Sequence, residues 1–276
     1  MSNKLRIITL VCNHFEDTDK MLHSLHFTIN ELLKNTLHYN KVQLSILDNG
    51  STIPFIYNTK LTEIPPRQYS VEIIRSEENL MFAKGNNKIL KEITHEDVLL
   101  LNNDVIVHDH FLTKLINTFS ILKRYEKVGI IGPMTNRAAG LQQTHICDSK
   151  DLTKMQTRTA MQECFGYSWG MNKVIPRRVL WVTGFAMFIS NDCLKGVGLL
   201  DDKEFPLSGE DIDYCYRAGE KGYGVWIDQS NFIWHTKHVT ANDLPNNADD
   251  YWRNANIKMK KKYPELFPRQ TCDGSK

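Results

Sequence analysis

The chain lacks an apolar run long enough to cross a bilayer, lacks paired cysteines, and has almost no charge of one sign to spare. VLWVTGFAMF, at 179–188, falls short of the roughly 20 apolar residues that a membrane helix requires and carries Thr and Gly inside it. At the N-terminus, apolar character lasts only from Leu5 to Cys12 before Asn, His and acidic residues, so the segment does not read as a signal peptide. A protein without transmembrane segments is expected, cytoplasmic or peripheral to a membrane. Six cysteines (Cys12, Cys147, Cys164, Cys193, Cys215, Cys272) show neither a C-x-x-C pair nor zinc spacing. That argues against a sulfur-built metal site and fits reduced thiols. With 34 Lys and Arg against 32 Asp and Glu, the net charge of +2 gives no global case for nucleic acid or an anionic surface. There are no repeats, low-complexity tracts or Pro/Gly linkers, and 276 residues of this composition suit one large domain.

Short branched-rich runs alternate with amphipathic segments. LRIITLV (5–11), VQLSIL (42–47), VEIIR (71–75), VLLL (98–101) and VGIIG (128–132) have the length and apolar content of parallel strands buried on both faces. Helices are expected over 17–35, 82–93 and 109–124, the last with Phe111, Leu115, Phe119 and Leu122 on one face. RVLWVTGFAMFIS (178–190) reads as a further central strand, with Gly184 permitting close approach of a ligand or another backbone. Residues 133–176 read as a long loop region with one short helix. The alternation implies an α/β fold, a mostly parallel central sheet with helices on both faces and a ligand site at the carboxyl ends of its strands.

Polar residues collect at those ends: Asn13 and His14 after the first strand, Asp48 to Ser51 after the second, and Asn102, Asn103 and Asp104 after the fourth. DNGS alone is equally a turn. In VLLLNNDVIV (98–107), a carboxylate set between apolar runs is costly to bury unless it is paired or bound to a cation, although a surface turn between two strands also fits. In FPLSGEDIDYCYRAGEKGY (205–223), Ser208 is a candidate helix cap with Asp211 at the third helical position, and Asp213 and Arg217 are spaced to pair. Acids in a first turn are favoured by the helix dipole, which would also keep Asp211 ionised as a general base must be. In NFIWHTKHVT (231–240), His235 and His238 are candidate ligands for Mn, Fe or Zn, or simply structural.

LVCNHFED, ILDNGS, ENLMFAKGNNKIL, LLLNNDVIV, the stretch from VTGFAMF through SGEDIDYCYRAGEKGY, and the following WH together resemble family 2 glycosyltransferases of the GT-A fold, closest to a bacterial rhamnosyltransferase-like branch. The likeness covers about residues 4–240 and implies a transferase domain over 1–245, with a C-terminal basic helix and tail, 246–276, packed on it. It implies that Val11 and Asn13 line the nucleobase and ribose pocket, with Asp48 bonding base or ribose. Asn79, Phe82, Asn86 and Asn103 would lie beside the nucleotide and donor sugar. Asp104 and His235 would hold a divalent cation, Mn²⁺ or Mg²⁺. Asp211 would be the catalytic base and Glu210 would orient a sugar. The implied reaction is inverting transfer from a nucleotide-diphosphate sugar to a glycan, lipid-linked or other hydroxyl acceptor. Two departures stand out: Lys84 replaces a Gly of the family's N-x-G-F-A-G-G-N-N segment, and amides occupy positions where many relatives carry acids before Asp104.

DDYWRNANIKMKKKYPELF (249–267) reads as a helix ending before Pro264. Its Lys258, Lys260, Lys261 and Lys262 form a solvated face or a patch for an anionic acceptor. A nucleotidyltransferase and a nucleotide-sugar or glycan-binding protein without turnover are the alternatives. LVCNHFED offers no basic or Gly-rich triphosphate loop for the first.

Overall fold

The computed structural model describes residues 3–35, 38–58, 67–143, 176–236 and 248–266. In chain order the elements are β1 (Lys4–Val11), α1 (Phe15–Asn35), β2 (Lys41–Asn49), β3 (Tyr69–Ser76), α2 (Met81–Leu90), β4 (Asp97–Leu101), β5 (Val105–Ile106), α3 (Phe111–Leu122) and β6 (Val128–Thr135). They continue through β7 (Pro176–Val179), β8 (Ala186–Ile189), α4 (Asn191–Val197), α5 (Glu210–Glu220), β9 (Gly224–His235) and α6 (Ala248–Lys262).

The strands form one mixed sheet in the order β3-β2-β1-β4-β8-β6-β9-β5, with β7 on β9. The first four are parallel, with Ile7 level with Leu44 on one side and Leu99 on the other. β8 runs antiparallel between β4 and β6, and β9 is parallel to β6. The sheet is therefore largely parallel and covered on both faces, as the alternation of strands and helices requires. One apolar layer packs beneath α1 and α3, through Met21, Leu25, Ile29, Phe111 and Leu115. The other packs beneath α2, α4 and α5, through Ala83, Ile89, Leu194, Tyr214 and Cys215. Each fully buried Leu or Ile contributes roughly 1.5–3 kcal/mol by leaving water.

Two expectations change. The 178–190 run is not one strand: it breaks after Val179 and resumes at Ala186, because the segment between them turns at Gly184 and Phe185 to reach the site. Residues 133–135, expected as loop, complete β6, and a single 3₁₀ turn follows at Gly140–Gln142. Residues 144–175, which hold the rest of that expected loop with Cys147 and Cys164, lie outside the described residues, as do His238 and Cys272. Among the described residues Cys12, Cys193 and Cys215 are buried and form no disulfide, and no helix is long and apolar enough to cross a membrane.

Candidate functional site

A cleft of about 530 Å³ opens at the carboxyl ends of β1, β2 and β4. The polar interruption after Leu101 is the turn between β4, which pairs with β1 and β8, and β5, which pairs with the last residues of β9. Because Val105 lies opposite His235, the preceding residue, Asp104, is brought to the imidazole. Asp104 Oδ1 lies 3.3 Å from His235 Nε2, and it is buried without a hydrogen-bond partner among the described residues.

The imidazole is held from behind. His235 Nδ1 lies 2.9 Å from the Arg137 carbonyl, which can only accept, so Nδ1 carries the proton and Nε2 presents its lone pair toward Asp104. The Asn136 side chain accepts from the His235 amide at 2.8 Å and donates to its carbonyl at 3.1 Å. Phe185 stacks on the ring with centroids 5.1 Å apart. An orphaned carboxylate oxygen facing an oriented imidazole lone pair fits a divalent cation. No group of three or more His, Cys, Asp or Glu side chains able to hold a metal occurs among the described residues, so phosphate or water oxygens would have to complete the shell.

Glu210 and Asp211 open α5 on the same cleft. The cap is Gly209, left-handed at φ 87°, and Ser208 makes no cap hydrogen bond, which corrects the expected start. Asp211 therefore sits at the second helical position. Its Oδ2 accepts from the Gly184 amide at 2.8 Å and its Oδ1 from the Ile212 amide at 2.8 Å. Burial raises the Asp211 carboxyl above its usual range, and those amides oppose the shift. Burial, reinforced by the charge of Asp211, raises Glu210 further, and its Oε2 has no hydrogen-bond partner among the described residues. Both carboxyls are thus pushed upward, Glu210 by burial and the charge of its neighbour, Asp211 by burial against the amides that bind it. What closes on Gly184 is a side chain, where a ligand or another backbone was expected: a Cβ there would lie 3.2 Å from the Phe82 ring.

The other candidates fall into two groups. Asn79, Phe82, Asn86 and Asn103 border the cleft. Asn79 Oδ1 accepts from Asn49 and from the Met81 amide, Asn86 donates to the Phe82 carbonyl, and Asn103 donates to Thr18 at 3.0 Å. Val11, Asn13 and Asp48 do not line it. Side chains alternate along β1, so Leu10 and Cys12 face the cleft while Val11 packs in the α1 layer. Asn13 and Asp48 form a neighbouring cluster closed by Ser51: the Asn13 amide donates to Ser51 Oγ, the Ser51 amide donates to Asp48 Oδ1, and Arg75 meets Asp48 Oδ2 at 2.5 Å. Burial works against ionisation of Asp48, but its hydrogen bonds from Ser51, Phe55 and Arg75 hold the carboxyl below its usual range. Arg75, Asn136, Arg137 and Phe185 escape sequence reasoning because each acts through a partner 24 to 99 positions away. The signal within reach was the i, i+3, i+4, i+7 recurrence of Trp252, Ala255, Asn256 and Met259, which places one face of α6 on the cleft.

Solved structures of similar fold include a mannosyltransferase of Pyrobaculum calidifontis in complex with GDP-mannose and Mn²⁺, 13% identical, covering 86% of this chain and 57% of that one at a TM-score of 0.54. TarS residues 1–349 of S. aureus are 12% identical, with 97% and 76% covered at a TM-score of 0.54. Uncharacterized proteins of Mycobacterium bovis and Mycobacterium tuberculosis are 25% identical over 182 residues, which span 64% of this chain and 62% of each relative. The model of the family described as "Glycosyltransferase like family 2" matches residues 25–248, and the fold agrees with it: the chain belongs to the family 2-like glycosyltransferases of the GT-A fold.

Proposed function

We propose that the protein transfers a sugar from a nucleotide-diphosphate donor to an acceptor hydroxyl with inversion, Asp211 acting as base. The observation that carries this is the meeting in one cleft of an ionisable carboxylate raised by burial, Asp211, with the Asp104–His235 pair. The acceptor O–H gives its proton to Asp211 as its oxygen attacks the anomeric carbon. The bond from that carbon to the diphosphate oxygen breaks, and the electron pair leaves with the diphosphate. Glu210, its carboxyl raised by burial and its Oε2 without a partner among the described residues, donates a hydrogen bond to a sugar oxygen in its protonated form and fixes that sugar's orientation. Arg137, the one Lys or Arg that borders the cleft among the described residues, adds positive charge beside the departing diphosphate. Asp104 and His235 would hold Mn²⁺ or Mg²⁺, which neutralises charge on the leaving group when bound.

Resemblance to the rhamnosyltransferase-like branch makes deoxyhexosyl donors the first to try. Residues 1–245 serve as the transferase unit with the C-terminal helix packed on it. The reaction belongs in the cytoplasm or at a membrane surface, where a glycan, lipid-linked or other hydroxyl acceptor is met. The test is Asp211→Asn: transfer should fall roughly 10²–10⁴-fold while the thermal shift given by the nucleotide is kept. Full activity in that variant removes the base assignment. Turnover that releases inorganic diphosphate would point to a nucleotidyltransferase instead, and nucleotide binding with no turnover to a binding protein.

A further inference from the structure

Trp252, Ala255, Asn256 and Met259 share one face of α6, and all four border the cleft. Ala255 and Met259 are buried, Trp252 is half-buried and Asn256 is exposed. This wall offers an indole, an amide and two apolar surfaces, and no charge.

The helix's lysines do not reach it. Lys262 is engaged by Asp213 at 2.9 Å, Glu204 at 3.0 Å and Asp201 at 3.2 Å, and Lys258 donates to the Glu204 carbonyl at 2.8 Å. Neither these two nor Lys260 or Lys261 borders the cleft. The basic patch expected from sequence is thus no lining for an anionic acceptor in this cleft. The polar cleft residues Asp104, His235 and Arg137 connect to Asp211 by another route, through Phe185 stacked on His235 and the Gly184 amide. From Gly209, beside the carboxylates, α6 lies within contact: a Cβ on Gly209 would stand 3.3 Å from Met259 Cγ, just beyond Phe205 Cδ1 at 3.0 Å.

The wall is also fixed relative to the base. Tyr263 donates to Asp213 Oδ1 at 2.6 Å, and Phe205, Met259 and Tyr263 form one apolar cluster, so α6 is tied to the helix that carries Asp211 two residues earlier. The family match ends at residue 248, where α6 begins, so this wall lies outside the matched residues.

We infer that this face of α6 is the acceptor subsite and that it takes an uncharged glycosyl ring, resting on the transferase function proposed above. A sugar ring offers an apolar C–H face, which the Trp252 indole covers, and hydroxyl edges, which the Asn256 amide meets. A phosphate or carboxylate would find no cation on this wall.

The test uses the full chain with the nucleotide sugar that gives the largest thermal shift. The acceptor probes are p-nitrophenyl glycosides of neutral hexoses and deoxyhexoses, with p-nitrophenyl glucuronide and glycerol 3-phosphate as charged probes. Transfer to a neutral glycoside is expected, with its KM raised about tenfold in Trp252→Ala and recovered in Trp252→Phe, while the nucleotide thermal shift stays at the wild-type value. Transfer to charged probes alone, transfer to none of them while the nucleotide still binds, or wild-type KM in both Trp252→Ala and Asn256→Ala overturns the subsite and leaves the transferase function standing. Absence of any nucleotide-dependent shift in the wild-type protein overturns that function, and the subsite with it.

Discussion

Replacing Lys262 by Met keeps the length of the side chain and removes its charge from three carboxylates at once. Asp213 is fully buried, and it would keep Arg217 at 2.8 Å and the Tyr263 hydroxyl at 2.6 Å. Breaking a fully buried ion pair costs about 3–5 kcal/mol. Here 29% of the Lys262 side chain stays exposed and Asp213 retains two partners, so solvent screening and the remaining hydrogen bonds reduce the cost to about 2 kcal/mol. For a chain of this size that corresponds to a Tm about 5 °C lower. The pH dependence distinguishes charge from packing. Burial alone would lower the Lys262 pKa, but its hydrogen bonds to Asp213, Glu204 and Asp201 raise it above the usual lysine value. Its stabilisation is therefore complete below the unfolded lysine pKa and is lost only as pH rises through the folded one. Burial works against ionisation of Asp201 too, but the Glu204 amide and Lys262 hold its carboxyl below the usual range. That contribution is present above the unfolded carboxylate pKa and is lost as pH falls through the folded one. Thermal unfolding of wild type and Lys262→Met should give a constant gap from about pH 5 to pH 9 that narrows in acid. A Tm within about 1 °C of wild type, or a gap equally large at about pH 3, would refute the ion-cluster account.

Glu210→Gln should stabilise the protein and impair transfer. The folded Glu210 pKa is raised, so the penalty is absent below the unfolded glutamate value and grows as pH rises above it. Thermal scans should show the variant about 2–5 °C above wild type at about pH 8, with the difference vanishing near the unfolded glutamate pKa. Gly209→Ala should lower stability by about 1–2 kcal/mol in urea unfolding, because a left-handed φ of 87° penalises a Cβ that would also stand 3.0 Å from Phe205 Cδ1. Since Gly209 caps the helix bearing Asp211, its transfer rate should fall as well.

Much of this architecture is legible from local pattern. Alternating branched and amphipathic segments mark the strands and helices of the first half, and the polar residues after β1, β2 and β4 lie at the carboxyl ends where a parallel sheet puts its ligand. What is not legible is set by pairing at long range. Nothing in RVLWVTGFAMFIS tells that its middle bends to bring the Gly184 amide to Asp211, because that bend is satisfied by a side chain 27 positions later. The face of Val11 depends on strand parity, which a run of apolar residues on both sides conceals. Lys262 reads as solvated surface in sequence and proves to be the counter-ion of a buried aspartate 49 positions earlier, since a charge pattern does not reveal which carboxylates fold beneath it.

β9 carries one further consequence. Pro133 lies opposite Asp228 and the next residue of β6, Met134, opposite Phe232, so Gln229, Ser230 and Asn231 have no counterpart on β6. Asp228 accepts from Thr118 and Ser230, while Asn231 meets His108 and the Phe111 carbonyl, so the surplus is sewn to α3. The strand is thereby split into two lengths that are counted separately. The first length, Gly224 to Asp228, takes its register from β6 and β7, and the second, Phe232 to His235, from β6 and β5. One residue added or lost between Phe232 and His235 turns the imidazole to the opposite side of the sheet. The same strand thus carries two registers, and the one that places the imidazole is set by its last four residues alone.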